Sequence, residues 1–321
     1  MGLLKTPAIV LKSRKWGEAD RIVTFYTLKF GKVRGVARGA RRMQSRFGSA
    51  LEPFVHCDLN LFEKPHDHLY RVTQADLRET FPKLRENLTL MSGAARLANL
   101  VAAVTAEGDA CGRLYETLLA GVGALESADD PLLTTLAFEI KLLGLTGFKP
   151  QTDHCASCGT EFGEPGCGEP REFSPAAGGL VCPSCAGRRP DRCLPLSAGS
   201  LALLQQALRW APAVVSRLRA TGQVRAELEA AVEAYVTIVA GRQLPPADFL
   251  ASTRLSTGPG PVACSGTPCI PQSNGCPTGD EGPVPLGVAR PATSSVESDQ
   301  LSAAEGPPPS YGATTSSASP L

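Results

Sequence analysis

Two cysteine pairs of identical spacing limit this chain more than any other feature. In HCASCGTEFGEPGCGEPREFSPAAGGLVCPSCAG the pairs are Cys155/Cys158 and Cys182/Cys185, with 23 residues between them. A C-x2-C turn presents two thiolates to one ion, and two such knuckles close a tetrahedral site. Each pair is followed by a small residue, Gly159 or Ala186, as a knuckle turn prefers. The spacing predicts that one structural zinc per chain, held by Cys155, Cys158, Cys182 and Cys185, organises residues 151–195. Four protein ligands leave no open position for catalysis. A redox C-x2-C needs a βαβ setting, which is missing here. Cys167 and Cys193 fall outside the pairing and read as free thiols, and His154, beside the first knuckle, is a weak ligand candidate. Eleven cysteines in a chain of 321 residues suit a reducing cytosol better than a disulfide framework.

The periodicity on either side of this segment differs. Residues 1–80 read as β: runs rich in β-branched and aromatic residues recur at Thr6–Lys15, Arg21–Phe30, Lys32–Gly39, Leu51–Phe62 and Leu69–Asp76. Period-two counting places Leu51, Val55, Cys57, Leu59 and Leu61 on one face, opposite Glu52, His56, Asp58 and Asn60. Gly31 predicts a tight hairpin between the second and third runs. Five short strands suit a small closed barrel. From residue 81 apolar positions recur at three and four: Leu84, Leu88, Met91 and Ala95, then Leu114, Leu118, Val122 and Leu125. Further helices are expected over Pro131–Gly147, Ser197–Ala211, Val214–Thr221 and Val224–Ala240. The expected fold is therefore α+β: a five-stranded barrel over 1–80, then an all-α domain over 81–255 with the zinc segment inserted at 151–195. Residues 256–321 are rich in Pro, Gly, Ser and Thr, with one basic and five acidic residues. Too little apolar surface is present there to offset ordering entropy, so a disordered tail is expected.

Charge is distributed unevenly. The whole chain carries a net +1, yet residues 1–48 hold twelve basic residues against Glu18 and Asp20. Strand alternation puts Lys32, Arg34 and Arg38 on one face of the third run, and Arg41, Arg42 and Arg46 follow on a loop. Trp16, Phe25, Tyr26, Phe30 and Phe47 are nearby aromatics. For any one of them core packing is the plainer reading, and adjacency requires one of Phe25 and Tyr26 to point inward. A cationic barrel face with ring platforms suits single-stranded nucleic acid.

Catalytic signatures are missing: there is no G-x-x-x-x-G-K-[ST], H-E-x-x-H, G-x-S-x-G, or strand-borne G-x-G-x-x-G, nor the H-x-E and P-C-x-x-C of zinc deaminases. His66 and His68 in KPHDHL suit a solvated turn. No apolar run reaches 18 residues, so neither a membrane span nor a membrane partner is expected.

The opening TPAIVLKSRKWGEADRIVTFYTLKFGKVRGVARGARR, with its Gly17, Glu18 and Asp20 turn, resembles the start of the bacterial DNA repair RecO family. The Leu145, Gly147 and Pro150 pattern before the first cysteine pair, the double C-x2-C and the closing EAYVTIVAGRQLPPADFL are also similar to it. The likeness spans about residues 1–253. Gln243–Asp248 departs from the family's basic ending, and the tail lies outside the pattern. The resemblance implies an OB-fold barrel, a helical domain with a zinc insertion, and no enzymatic activity. It implies binding of single- and double-stranded DNA, annealing of complementary strands, and action with RecR and RecF. Together these help load RecA on DNA coated by single-stranded-DNA-binding protein. Carried over by position, the DNA contacts are Lys32, Arg34, Arg38, Arg41, Arg42 and Arg46, and the setting is cytoplasmic and nucleoid-associated. The competing expectations are a zinc-stabilised protein–protein adaptor that makes no direct DNA contact, and a zinc-dependent enzyme.

Overall fold

The computed structural model describes residues 2–63, 69–162, 171–209, 211 and 219–247. The expected tail, most of the Val214–Thr221 helix, and His66, His68 and Cys167 lie outside the described residues. Five strands build the first part: β1 (Leu3–Trp16), β2 (Asp20–Thr27), β3 (Gly31–Ala37), β4 (His56–Phe62) and β5 (Tyr70–Glu79). They close in the order β1-β2-β3-β5-β4, antiparallel except for the β3–β5 pair. That is the Greek-key connectivity of an OB barrel. Its core takes every second side chain: Ala8 and Val10, Val23 and Phe25, Val33, then Cys57, Leu59 and Leu61.

The fourth strand starts at His56 rather than Leu51. Residues 51–54 turn back instead, with Phe54 at φ 68° and its N–H bonded to the Val10 carbonyl at 2.8 Å. Leu51 and Val55 still reach the barrel core, so apolar alternation there marked burial without strand pairing.

The helical body comprises α1 (Pro82–Glu86), α2 (Leu88–Val104), α3 (Gly112–Leu125), α4 (Pro131–Leu145), α6 (Ala198–Arg209) and α7 (Gly222–Ala240), with the one-turn α5 (Pro183–Ala186) inside the insertion. Caps set the starts. Asn87 accepts from the N–H groups of Thr89 and Leu90, Asp130 from Leu133, and Thr221 from Val224. Helix α4 is buried over most of its length, and α2, α3, α6 and α7 pack around it. Within this core Arg96 and Glu139, each 3 % exposed, pair at 2.5 Å, and Arg96 also bonds Glu233. Burial pushes the Glu139 carboxyl up to about 7, against the pull of Arg96.

Barrel and helices belong to one compact unit. The outward residues Ile9 and Leu11 of β1 and Tyr26 of β2 pack in the helical core, not the barrel core. Phe25 and Tyr26 are therefore both buried, one on each side of β2. The β2–β3 hairpin sits directly against the α2–α3 connection. Gly31, at φ 59°, leaves so little room that a Cβ there would fall 2.0 Å from the Asp109 carbonyl oxygen. Tyr115 and His56 meet across the same seam, hydroxyl to Nε2 at 2.9 Å.

Two consequences are measurable. Gly31→Ala adds both a strained left-handed residue and a backbone clash, so it should cost about 2 kcal/mol or more, read as a lowered urea midpoint. His56 has its pKa lowered by burial and by Arg78, with Asp58 opposing. A depressed histidine loses protons on folding, so the unfolded chain takes up the proton first. Stability should fall as pH drops below about 6.5 until the folded-state value is passed. His56→Gln should remove that component of the pH dependence in denaturant titrations.

Candidate nucleic-acid interface and four-cysteine centre

The six sequence-nominated cations divide into two groups. Val33, Gly35 and Ala37 point inward on β3, so Lys32, Arg34 and Val36 point outward, as alternation requires. The first part of that outer face is covered by the helices. Lys32 donates through Nζ to the carbonyls of Ala102, at 2.8 Å, and Thr105. These carbonyls lie at the open C-terminal end of α2, where the helix dipole is negative. Burial lowers the Lys32 pKa, with Glu107 opposing. Arg34 pairs with Glu107 at 2.6 Å. Both residues therefore join barrel to helices.

Arg38, Arg41, Arg42 and Arg46 stand exposed on the segment after β3. Arg41 reaches back to the Gly17 and Glu18 carbonyls at 3.2 and 2.8 Å, tying this segment to the β1–β2 turn. Arg46 lies 4.9 Å over the buried Phe47 ring. Among the described residues no ion pair holds Arg38, Arg42 or Arg46. Arg14 and Lys15, exposed at the end of β1, also lack an ion pair among the described residues. Of the five aromatics, Phe25, Tyr26 and Phe47 are buried and Phe30 is half-buried, whereas Trp16 is 57 % exposed. Trp16 borders a hollow of about 150 Å³ with Asp20, Val36, Arg38, Leu69, Tyr70 and Arg71. Tyr70 and Arg71 were not nominated by the sequence. Their only signal was the start of a strand, because the β3–β5 pairing that places them beside Val36 is parallel and long-range.

The second site is the cysteine cluster. Its four sulfurs all lie within 4.8 Å of one another, and those of Cys158 and Cys182 are 3.8 Å apart. The first knuckle turns at Gly159 (φ 75°), where the Gly159 N–H bonds the Cys155 carbonyl at 2.9 Å. Cys182 precedes α5, and its carbonyl accepts from the N–H groups of Cys185 and Ala186. The knuckles are held by a three-stranded sheet, ordered β7-β6-β8, of β6 (Arg171–Ser174), β7 (Gly179–Val181) and β8 (Leu194–Leu196). This sheet had no counterpart among the expected elements. Phe173 and Leu180 carry it into the helical core, where Phe173 meets Tyr235 edge to face. Gly179 passes so close to Gln151 that a Cβ would lie 2.5 Å from its carbonyl oxygen.

Burial alone would push the Cys155 thiol up, but the N–H donors of Cys158, Cys182 and Ser157 outweigh it and bring it to about 6. The Thr160 hydroxyl lowers Cys158, while the neighbouring sulfurs of Cys182 and Cys158 push Cys185 up to about 12. Such crowding of sulfurs, some inclined to ionise and some not, is relieved by one shared cation. The cluster can hold a metal ion. His154 faces the Gln151 side chain at 2.9 Å, and Cys193 lies outside the cluster.

Fold and site define a small closed barrel joined to a helical body that carries a four-cysteine, metal-type knuckle. The first 81 residues match the family description "Recombination protein O N terminal", and residues 85–246 match "Recombination protein O C terminal". Over 257 residues the chain is 34 % identical to the DNA repair protein RecO of Symbiobacterium thermophilum, covering 79 % of this chain and 99 % of that protein. It is 30 % identical to the RecO of Desulforamulus reducens (78 % and 94 % covered) and 32 % identical to that of Thermoanaerobacter sp. (74 % and 92 %). The chain belongs to the RecO family, and with it to DNA repair and recombination. Among the described residues no helix is long and apolar enough to cross a membrane.

Elemental analysis of freshly purified protein should find about one metal ion per chain. Cys155→Ser, at the buried ligand, should lower both metal content and thermal stability. A metal-free preparation with four titratable thiols in the cluster would refute the site.

Proposed function

We propose that this protein is a recombination mediator that grips DNA by its phosphates and needs no catalysis of its own. The observation that carries this reading is the exposed group Arg38, Arg41, Arg42 and Arg46, joined by Arg14 and Lys15, on a barrel whose Lys32 and Arg34 are engaged at the helical side. Cations that meet phosphates without reaching base edges bind single and double strands alike and carry little sequence information. Holding two strands on one such surface lowers their repulsion and raises their local concentration, which favours annealing. No nucleotide is consumed in that process. Lys32 and Arg34 contribute chiefly by fixing the barrel.

The metal in this reading is structural zinc. An all-thiolate set favours it, and tetrahedral Zn–S bonds of about 2.3 Å put sulfurs about 3.8 Å apart, which matches the Cys158–Cys182 separation. The partners follow from the family: RecR, RecF and the single-stranded-DNA-binding protein, with RecA loading as the outcome, in the cytoplasm at the nucleoid. A groove of about 710 Å³ on α3, α4 and α6 suits the single-strand-binding partner. Arg113, Lys141, Lys149 and Arg209, with Glu116 as the one acid, surround Leu145 and Leu208 there, a net positive pattern that fits an acidic peptide with an apolar end.

The test is strand annealing and gel-shift binding over a salt series without added nucleotide. Arg38→Ala/Arg42→Ala/Arg46→Ala should reduce the log–log salt slope by about two to three and slow annealing in proportion. Salt-insensitive binding would overturn the reading. Repair activity that survives loss of these arginines but not disruption of the helical groove would favour the adaptor that never touches DNA.

A further inference from the structure

We propose that the hollow beside Trp16 is a single-nucleobase site, in which one unpaired base of a DNA strand stacks on the Trp16 indole while Arg38 and Arg71 hold the flanking phosphates. This rests on the phosphate-binding reading above and adds to it a preference for single strands.

An exposed aromatic alone means little, since scattered apolar residues are normal on protein surfaces. Trp16 differs in its surroundings. It closes the β1–β2 turn, and the hollow it borders runs to the end of β3 and the start of β5. In an OB barrel, strands 2 and 3 and the adjoining loops form the face that receives oligonucleotides. Trp16, Val36, Leu69 and Tyr70 give it apolar and aromatic surface, while Asp20, Arg38 and Arg71 make the rest of its lining polar, and both arginines are exposed. Asp20 is the one acid, and its Oδ1 already accepts the Gly39 N–H at 2.8 Å. That bond fixes the backbone between Arg38 and Ala40, and the second carboxylate oxygen is left to accept from a base N–H.

Size selects the occupant. Pockets for drug-sized ligands measure roughly 300–1,000 Å³, and this hollow is about 150 Å³. It admits one planar ring rather than a cofactor. A duplex would have to unpair and flip a base to fill it, at a cost of a few kcal/mol. A single strand offers its bases freely.

The chain has two tryptophans, so Trp210→Phe leaves Trp16 as the sole indole reporter. In that background, full-length protein is titrated with oligothymidylate, with an abasic strand of equal length, and with duplex. Fluorescein-labelled strands report total binding by anisotropy. Trp16 emission should be quenched by oligothymidylate and scarcely changed by the abasic strand, even where both are bound. Trp16→Ala should weaken single-strand binding roughly 5- to 150-fold, the size of one lost stack, with the salt slope unchanged, and Trp16→Phe should restore most of it. Unquenched emission at saturation, or Trp16→Ala binding as tightly as the parent, would overturn the base site while leaving phosphate binding standing. Absence of any anisotropy change would overturn both.

Discussion

One contact decides what the barrel can do. The Lys32 ammonium sits on the free carbonyls at the end of α2, a cation against the negative pole of a helix. Around it the other seam contacts follow in register. The Gly108 N–H bonds the Lys32 carbonyl at 3.0 Å, Arg34 meets Glu107, and Gly31 gives the Asp109 backbone its room. A side chain that would otherwise be one more surface charge is partly desolvated, and its charge is matched by helix carbonyls. The barrel's orientation on the helical body is thereby fixed by groups contributed from both.

The same contact sorts the positive charge. The half of β3 nearest its hairpin is turned to the helices, and the half nearest Arg38 is left to solvent. Because Arg41 ties the following segment to the β1–β2 turn, cations from the end of β1 and from the segment after β3 are brought to one edge. An evenly charged barrel would attract phosphate from every side. This one gathers Arg14, Lys15, Arg38, Arg41, Arg42 and Arg46 near one another, beside the exposed indole.

Much of this was legible because each element announced itself locally. Period-two alternation with Val, Ile and aromatic residues marked the strands, and three-four spacing of apolar residues marked the helices. The cysteine spacing marked the knuckles. What escaped the sequence is the long-range part. Nothing near Lys32 says that a helix end seventy residues away will take its ammonium, or that Glu107 will take Arg34. Alternation correctly put both on the outer face of β3, but whether an outer face meets water or another element is decided elsewhere in the chain. Phe25 and Tyr26 teach the same point: one had to face the barrel interior, and the other found a second interior in the helices. The sheet of the insertion was hidden because its strands are three or four residues long, too short for a period to show.

Two cationic surfaces among the described residues differ in a way that bears on partner choice. Along the barrel edge the charges are exposed beside one small hollow. Polyanion binding there depends on counterion release and should be weakened by salt. In the groove of α3, α4 and α6 the charges ring apolar side chains, and Lys141 already donates to the Ala207 carbonyl at 3.2 Å. A ligand there must displace water from Leu145 and Leu208 to gain affinity, which favours a compact peptide end over a repeating phosphate chain. Salt should therefore loosen the strand before it loosens the peptide. In the proposed role, where DNA is released after two strands are paired while the single-strand-binding partner stays bound, that order of release is useful.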